Sequence, residues 1–457
     1  MKNKNIYTVA SIVGMAGFIF VYDSANLGGS VKYIQPYFKL GPSQVGILVA
    51  ISLIGNFFGS LLAGYFSDKI GRKLTMIYGV IVGIIGLLFA SLAPFITIFY
   101  IGRIVFGFSI GLIFVAAPMY ITEVAPAPKR GRAGSIRQLL LAFGLILGYT
   151  IGFIFNYHFS LEWNIKFGWR VLIFIEIALL IIMLFSMLTL VESPRWLIIK
   201  GRIEEAKESL EAFIDSKERV NIVFSEMLTN NSPEISGKKI KIRGGLVYAL
   251  TLCIIFPIFR QLSGVNAITY YAQKIFATIS SDTPSLAYFQ SIFIGVSELL
   301  GAIFVVTFAD KMGRKILLLI GAAGMFFSEA FIAYSLYETQ IGLDLSYFIY
   351  IYNFFFTISA GAMLTVYISE VLPTVIRSKG SSLTGMINWI ADAAIIYSFP
   401  LLNANIYLTE KFHGSISFII FSVSMLIFFI IILFLPETKD KTLEEIADYW
   451  KTKGDWE

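Results

Sequence analysis

Apolar segments of about 20 residues recur along the whole chain, and this feature limits its fold more strongly than any other. Each has about the length with which an α-helix crosses the roughly 30 Å hydrocarbon core of a bilayer. Hydrophobic residues make up 57% of the chain and charged residues only 14%, which excludes an ordinary soluble protein. The sequence therefore predicts an all-α polytopic membrane protein. We expect twelve transmembrane helices, which begin near Ile6, Ser43, Leu74, Ile98, Ala133, Trp169, Gly244, Leu286, Ile316, Tyr347, Gly380 and Ser415.

The basic residues are concentrated in alternate loops between these segments. They lie in residues 2–4, 69–73, 129–132, 311–315 and 377–379, in the long loop up to Arg243 and in the tail after Lys439. Cytoplasmic loops of membrane proteins carry an excess of Lys and Arg. We therefore expect these loops and both termini in the cytoplasm, and the net charge of +6 does not indicate a nucleic acid partner.

The sequence does not suggest redox, metal or enzyme chemistry. Cys253 is the only cysteine, and His158 and His413 are the only histidines, so we expect neither a disulfide nor a metal cluster. The chain has no recognisable pairing of a nucleophile with a base. It also lacks a Gly-x-x-x-x-Gly-Lys phosphate loop, which fits a secondary carrier. We expect no cofactor.

The chain repeats itself across a charged segment in its middle. The motif Asp-Lys-x-Gly-Arg-Lys at 68–73 returns at 310–315, and Tyr-Ile-x-Glu-Val-x-Pro at 120–126 returns at 367–373. Two repeats in the same order indicate two homologous six-helix halves with a site between them. We expect helix bundles at 1–191 and 244–435, a cytoplasmic linker with short helices at 192–243 and a cytoplasmic tail at 436–457.

The repeated basic motifs have two interpretations. They form a conformational latch that closes in one state and opens in another, or their basic residues only set the orientation of the chain. The recurrence of an aspartate and a glycine in register favours the latch, because orientation requires neither. The latch candidates are Asp68, Arg72, Glu123, Arg130, Glu176, Arg195, Asp310, Arg314, Glu370 and Arg377.

A polar stretch at 259–276 follows an apolar run. It contains Arg260, Gln261, Asn266 and the adjacent Tyr270 and Tyr271. Polar groups at membrane depth are costly unless they face a cavity or a partner. Their clustering predicts a binding site.

The motifs resemble those of the sugar porter family of the major facilitator superfamily along nearly the whole chain. They are residues 64–73, Gly102-Arg103, Pro118-Met119-Tyr120, Gly168-Trp169-Arg170, residues 192–197, Asn388-Trp389 and residues 436–439. The resemblance implies transport of a monosaccharide across the plasma membrane by alternating access. We expect a monosaccharide, protons and the lipid bilayer as partners. We also expect a monomer, because each chain contains both halves of a transport path.

Amide side chains suit a sugar, because each offers a carbonyl acceptor and two N–H donors to its hydroxyls. Four amides match sugar-binding positions of the resembled family, namely Gln138, Gln261, Asn266 and Asn388. Three aromatic residues are expected to present their rings to the C–H surface of the sugar, namely Trp389, Tyr270 and Tyr271. For each amide the alternative is a structural hydrogen bond between helices.

Asp23 and Arg103 are the candidates for proton coupling. They match an aspartate and an arginine that proton-coupled members of the resembled family carry, whereas facilitative members tend to lack the acid. Protonation of Asp23 is expected to release Arg103 and thereby favour a different set of helix contacts. The alternative is a static salt bridge, since either charge needs a partner or a cavity at this depth.

The chain departs from the family at several site positions. Arg260 and Glu298 stand where the family has a glutamine and an asparagine, and Ala362 and Thr365 replace a proline and a tryptophan. Asp392 adds an acid. We retain Arg260, Glu298 and Thr365 as substrate-binding candidates. Either Arg260 and Glu298 neutralise each other, or an unpaired Arg260 binds an acidic sugar or another anion.

The sequence therefore favours a proton-coupled symporter of a hexose or a pentose. Three alternatives remain, which are a facilitative uniporter, a carrier of an acidic sugar or polyol, and a sugar sensor that does not transport.

Overall fold

The computed structural model describes residues 5–124, 127–214, 216–230, 245–279, 284–339, 343–364, 367–368 and 377–437. Within these ranges the chain is helical and contains no strand. Eleven helices of the described part are long and apolar enough to cross a membrane. The predicted all-α polytopic architecture is confirmed.

Six long helices come before the central charged segment. They are α1 (Ile6–Phe38), α2 (Pro42–Ile70), α3 (Arg72–Ser91), α4 (Ile96–Val124), α5 (Ala127–His158) and α6 (Leu161–Leu188). Three shorter helices follow, namely α7 (Pro194–Ile199), α8 (Ile203–Glu211) and α9 (Lys217–Asn230). The short helices share a small apolar cluster around Trp196, Leu210 and Phe224.

The second set of helices begins after residue 244. They are α10 (Gly245–Leu262), α11 (Val265–Ile279), α12 (Pro284–Met312), α13 (Arg314–Tyr337), α14 (Leu343–Phe356), α15 (Arg377–Ala404), α16 (Ile406–Phe412) and α17 (Ile416–Leu433). Helices α10 and α11 together form one span, Leu250–Ala277. The predicted span near Tyr347 corresponds to α14, which continues as a π-helical turn to Gly361. Its described part is too short to count among the eleven.

The sequence repeat is visible at atomic detail where α2 meets α3 and α12 meets α13. Gly71 and Gly313 join these helices with φ of 99° and 91°, a conformation that favours glycine. A carboxylate then accepts the first N–H groups of each following helix, where the helix dipole favours negative charge. Glu192 accepts from Arg72 and Lys73 at 3.0 and 3.1 Å. Glu437 accepts from Arg314 and Lys315, both at 3.1 Å.

Further contacts repeat around these two carboxylates. The lysine side chains of the motifs donate to the ends of α6 and α17, Lys73 to the Leu188 carbonyl and Lys315 to the Leu433 carbonyl. The hydroxyls of Tyr120 and Tyr367 donate to the Val191 and Pro436 carbonyls at 2.6 and 2.7 Å. We call the end of the bundle that carries these contacts the basic face, and the other end the opposite face.

Glycines bring α2 and α4 into close backbone contact. A Cβ atom added to Gly107 would collide with the carbonyl oxygen of Ser52, and one added to Gly55 with that of Ile104. Small residues at helix crossings allow such an approach in membranes, where packing replaces the hydrophobic effect as the driving force.

The Gly107→Ala variant is expected to unfold more readily than wild type, by roughly 1 to 3 kcal/mol, because the methyl group overpacks the α2–α4 crossing. Thermal unfolding in detergent measures the effect. Gly64→Ala in α2 is the matched control, because no atom lies within 4 Å of its added methyl group. Equal melting temperatures for the two variants would contradict the close crossing.

Candidate functional site

A break in one transmembrane span places several polar side chains together. Helix α10 ends at Leu262, a turn follows at Ser263 and Gly264, and α11 begins at Val265. Gly264 has φ of 74°, and a Cβ atom there would strike the ring of Phe421. Discontinuous helices of this kind form binding sites in transporters, because their ends offer polar groups at membrane depth.

The amides on both sides of this break form one network with α15. Gln261 donates to the side-chain oxygen of Asn388 at 3.0 Å. Asn266 donates to the side-chain oxygen of Gln261 at 3.2 Å and to Asp392 Oδ2 at 2.8 Å. Three of the four predicted amides therefore lie in direct contact. Asp392 belongs to the same network. From the sequence we noted it only as an added acid and did not count it among the substrate-binding candidates.

Arg260 joins this network through neutral acceptors. It donates to the Asn388 side-chain oxygen at 3.0 Å and to the Ala360 carbonyl at 3.2 Å. No ion pair joins it to Glu298 in the described part of the chain. Glu298 instead accepts a hydrogen bond from Gln138 of α5 at 3.4 Å, a contact that connects the two halves.

The three aromatic candidates are enclosed in this conformation, contrary to the open ring faces that we expected. Trp389 is buried, donates from its indole N–H to Ser60 at 2.9 Å, and packs edge-on against Phe20 and Phe114. Tyr271 stacks on Phe399, with ring centroids 5.2 Å apart. These contacts already occupy the rings, because edge-to-face and offset stacked pairs are the favoured aromatic geometries. Tyr270 is also buried.

Asp23 and Arg103 form a buried, two-pronged ion pair between α1 and α4. Two guanidinium nitrogens reach the two carboxylate oxygens at 2.6 and 2.7 Å, and the side chains are 5% and 1% exposed. This bidentate geometry is the strong form of an arginine–carboxylate contact. Phe20, about one helical turn before Asp23 on α1, packs against Trp389, the residue that follows Asn388 on α15.

Glu176 lies near this pair and not in the basic-face cluster for which we predicted it. It is fully buried, and its charge interacts with those of Asp23 and Arg103. It precedes the end of α6 at Leu188 by about 18 Å along the helix axis, at 1.5 Å per residue. That separation excludes it from a cluster at the basic face.

On the basic face, Arg72 connects α2, α3 and α4. It pairs with Asp68 at 3.3 Å and with Glu123 at 3.0 Å. Ser193 donates a short hydrogen bond to Glu123, which ties the start of α7 to this cluster. Burial raises the pKa of the nearby Glu192 carboxyl. The backbone N–H groups of Ser193, Lys73 and Arg72, which donate to this carboxylate, lower the pKa in part.

Of the other latch candidates, the structure describes Arg195 and Arg314. Arg195 is exposed on α7, and Arg314 donates its backbone N–H to Glu437. Thr365 and Glu370 lie outside the described residues, as do the side chains of Arg130, Asp310 and Arg377. The sequence motifs contained Glu192 and Glu437, but only the structure assigns them to helix N-termini.

Contacts between the two sets of helices close the bundle towards the opposite face. The Tyr149 hydroxyl of α5 donates to the Thr269 carbonyl at 2.8 Å, and the Tyr288 hydroxyl of α12 donates to the Gly29 carbonyl at 2.9 Å. Gly28 packs directly against the carbonyl of Tyr270, where any Cβ atom would collide. Helices α1 and α11 therefore meet backbone to backbone.

Sequence reasoning missed Arg137, which precedes Gln138 in α5. Its guanidinium lies 4.5 Å from the centroid of the Phe114 ring. A charged residue within an apolar helix is by default a functional candidate, and this signal was available from the sequence.

Comparison with known proteins gives a consistent family and fold. The family described as sugar (and other) transporter matches residues 9–450. The chain is 29% identical to the D-xylose-proton symporter of Escherichia coli strain K12, over 98% of this chain and 96% of the relative. It is also 29% identical to the arabinose-proton symporter of Bacillus subtilis strain 168, over 97% and 95%.

Solved structures agree with these relatives. The inward open conformation of the xylose transporter XylE from E. coli superposes with a TM-score of 0.84 at 27% identity. The match covers 98% of this chain and 100% of that one.

Arg103→Leu is expected to destabilise the protein by about 3 to 5 kcal/mol, because it leaves Asp23 and Glu176 buried without a cation. Asp23→Asn should cost less, since Glu176 still faces Arg103. Melting temperatures of the two variants in detergent give the order. An Asp23→Asn variant less stable than Arg103→Leu would contradict the placement of Glu176 beside the pair.

Proposed function

Because the chain belongs to the sugar (and other) transporter family, we propose that it carries a monosaccharide together with a proton across the plasma membrane by alternating access. The observation that carries the proposal is the buried Asp23–Arg103 pair, whose aspartate lies on the same helix as Phe20, a residue that packs against Trp389 beside the amide of Asn388. A purely facilitative carrier has no need for an ionisable pair at this depth, where each charge is costly. The relatives named as xylose-proton and arabinose-proton symporters support the same reading.

We assign sugar binding to the polar residues at the broken span and facing it. They are Gln138, Arg260, Gln261, Asn266, Glu298 and Asn388. In the structure these groups satisfy one another's hydrogen bonds. Sugar hydroxyls both donate and accept, so a bound sugar exchanges these contacts for its own without leaving a buried polar group unpaired. The cost of opening the network is thereby offset.

Proton coupling acts through the change in charge of Asp23. An ionised Asp23 holds Arg103 in the two-pronged contact between α1 and α4. A neutral Asp23 loses most of that attraction, and Arg103 then has Glu176 of α6 as its remaining carboxylate neighbour. Any group that favours one helix arrangement over the other shifts the population between them. Proton binding thereby biases the conformational step.

We assign the basic face to the cytoplasm, following the excess of Lys and Arg in its loops. Both termini are then cytoplasmic. Because α1 and α11 close the bundle towards the opposite face, the conformation is one that opens inward, in keeping with its similarity to the inward open xylose transporter. The Arg72 cluster is the latch that rearranges when the carrier opens outward. Each chain works as a monomer.

Proteoliposomes with an inward proton gradient test the function. Labelled xylose should accumulate, by about tenfold for a gradient of one pH unit and one proton per sugar. Asp23→Asn should abolish accumulation but retain sugar exchange at zero gradient, because the binding amides are intact. Glu162→Gln, which removes an exposed carboxylate of α6, is the control and should accumulate like wild type. Uptake by wild type that only equilibrates would establish a uniporter instead.

A further inference from the structure

Arg137 is a cation at membrane depth to which the proposed sugar symport assigns no role. It lies on α5 next to Gln138, and its side chain is half-buried. Its guanidinium packs on the ring of Phe114, and that ring contacts Trp389 with centroids 5.2 Å apart. Arg137 therefore faces the same central region as Asn388.

The described part of the chain offers Arg137 no carboxylate partner. None of the ion pairs found there includes Arg137. An aromatic face compensates part of a guanidinium's charge, but it leaves the planar N–H donors available. Those donors match the two oxygens of a carboxylate.

Arg260 reaches the same region from the second set of helices. Arg137 packs on Phe114, and Phe114 packs on Trp389. Trp389 follows Asn388, which accepts a hydrogen bond from Arg260. The two positive charges therefore lie in one region and repel each other. Both hydrogen bonds from the Arg260 side chain go to neutral oxygens, those of Asn388 and Ala360. An anion bound between the two arginines relieves their repulsion.

The two acids of this region, Asp392 and Glu298, do not neutralise the charge of Arg137. Asp392 accepts from Asn266, Glu298 accepts from Gln138, and the charges of both act on Arg260. Neither acid forms an ion pair with Arg137 in the described part of the chain. Arg137 is thus the cation that the described site leaves uncompensated.

A second positive feature lies at the opposite face. A cavity of about 360 Å³ there is lined by Lys32, together with tyrosines, asparagines and other residues that carry no negative charge. Clefts with charge of one sign raise the local concentration of oppositely charged solutes. A substrate entering from this face would meet a lysine before it reaches the arginines.

Building on the sugar transport proposed above, we propose that the preferred substrate is an acidic monosaccharide, such as a uronate, whose carboxylate binds Arg137, while neutral sugars such as xylose bind more weakly through the amide network alone. Arg260 faces the same carboxylate from the other set of helices. The amide network binds the hydroxyls. The charged end of the sugar then bridges α5 and α10, which move relative to each other during alternating access.

The test compares two ligands that differ only in the carboxylate. Purified full-length protein is titrated calorimetrically with D-glucuronate and with its neutral amide, D-glucuronamide. Wild type should bind glucuronate more tightly, by roughly tenfold or more for one charge-assisted contact. Equal affinities would overturn the proposal without any variant. Tighter binding of D-glucosamine than of glucuronate would also overturn it, by assigning the site to cations.

Variants then locate the contact. Arg137→Gln should lower glucuronate affinity by roughly tenfold and leave glucuronamide within about twofold, because only the charge-assisted contact is lost. Arg137→Lys keeps a charge but loses the fork, so it should fall between the two. Arg219→Gln, an exposed arginine of α9, should behave as wild type. A preference for glucuronate that survives Arg137→Gln in a folded protein would refute the assignment.

The outcomes separate this inference from the transport proposal. If labelled xylose accumulates with the proton gradient while glucuronate and glucuronamide bind equally, the carboxylate site is wrong and sugar symport stands. If neither xylose nor glucuronate enters proteoliposomes under any gradient, both are wrong.

Discussion

The cost of a charge inside a hydrocarbon layer governs the arrangement of this bundle. The chain places Asp23, Arg103 and Glu176 far from water and meets that cost with one two-pronged contact between α1 and α4. The rest of the interior follows the same constraint. Amides are linked to amides across the broken span, and Glu298 of one half accepts its hydrogen bond from Gln138 of the other. Glu176 and Glu329 are exceptions, because both are buried and neither carboxylate has a hydrogen-bond partner in the described part of the chain. We propose that a ligand or a proton changes the conformation by exchanging the partners of the paired groups.

The two halves of the chain repeat the same helix-end contacts at the basic face. Glu192 and Glu437 each hold the first turn of a helix that follows a glycine of positive φ. Both carboxylates also lie beside the ends of α6 and α17, to which the motif lysines donate. Each half therefore carries the same set of contacts at the basic face. The close approach of Gly28 to Tyr270 at the opposite face is the contact that must separate when the carrier reverses.

Much of this could be predicted from the sequence, since the length and apolarity of helices and the repeat of Asp-Lys-x-Gly-Arg-Lys are local signals. The cost of a lone charge required a partner or a cavity for Asp23 and for Arg103, and the resemblance to proton-coupled sugar porters implied that the two belong together. The depth of Glu176 was readable from the sequence, because a helix that begins near Trp169 and ends before Glu192 places it well away from the basic face. Its position near Asp23 and Arg103 depends on the packing of α6 and could not be predicted. Enclosure of Trp389 by Phe20 and Phe114 depends on how the two halves meet, a tertiary property that no periodicity encodes. The charge of Arg137 within an apolar helix could be recognised from the sequence, but only the structure shows that the described part of the chain offers it no carboxylate partner.

The central claim is that sugar movement and proton movement are one event, joined at the Asp23–Arg103 pair. The most direct measurement is the pH of a weakly buffered suspension of energy-depleted cells that express the protein, recorded as xylose and then glucuronate are added. We predict that the medium becomes alkaline at the rate at which the transported sugar enters, and that Asp23→Asn cells show no such change. Entry of sugar into wild-type cells with no change in external pH would contradict it.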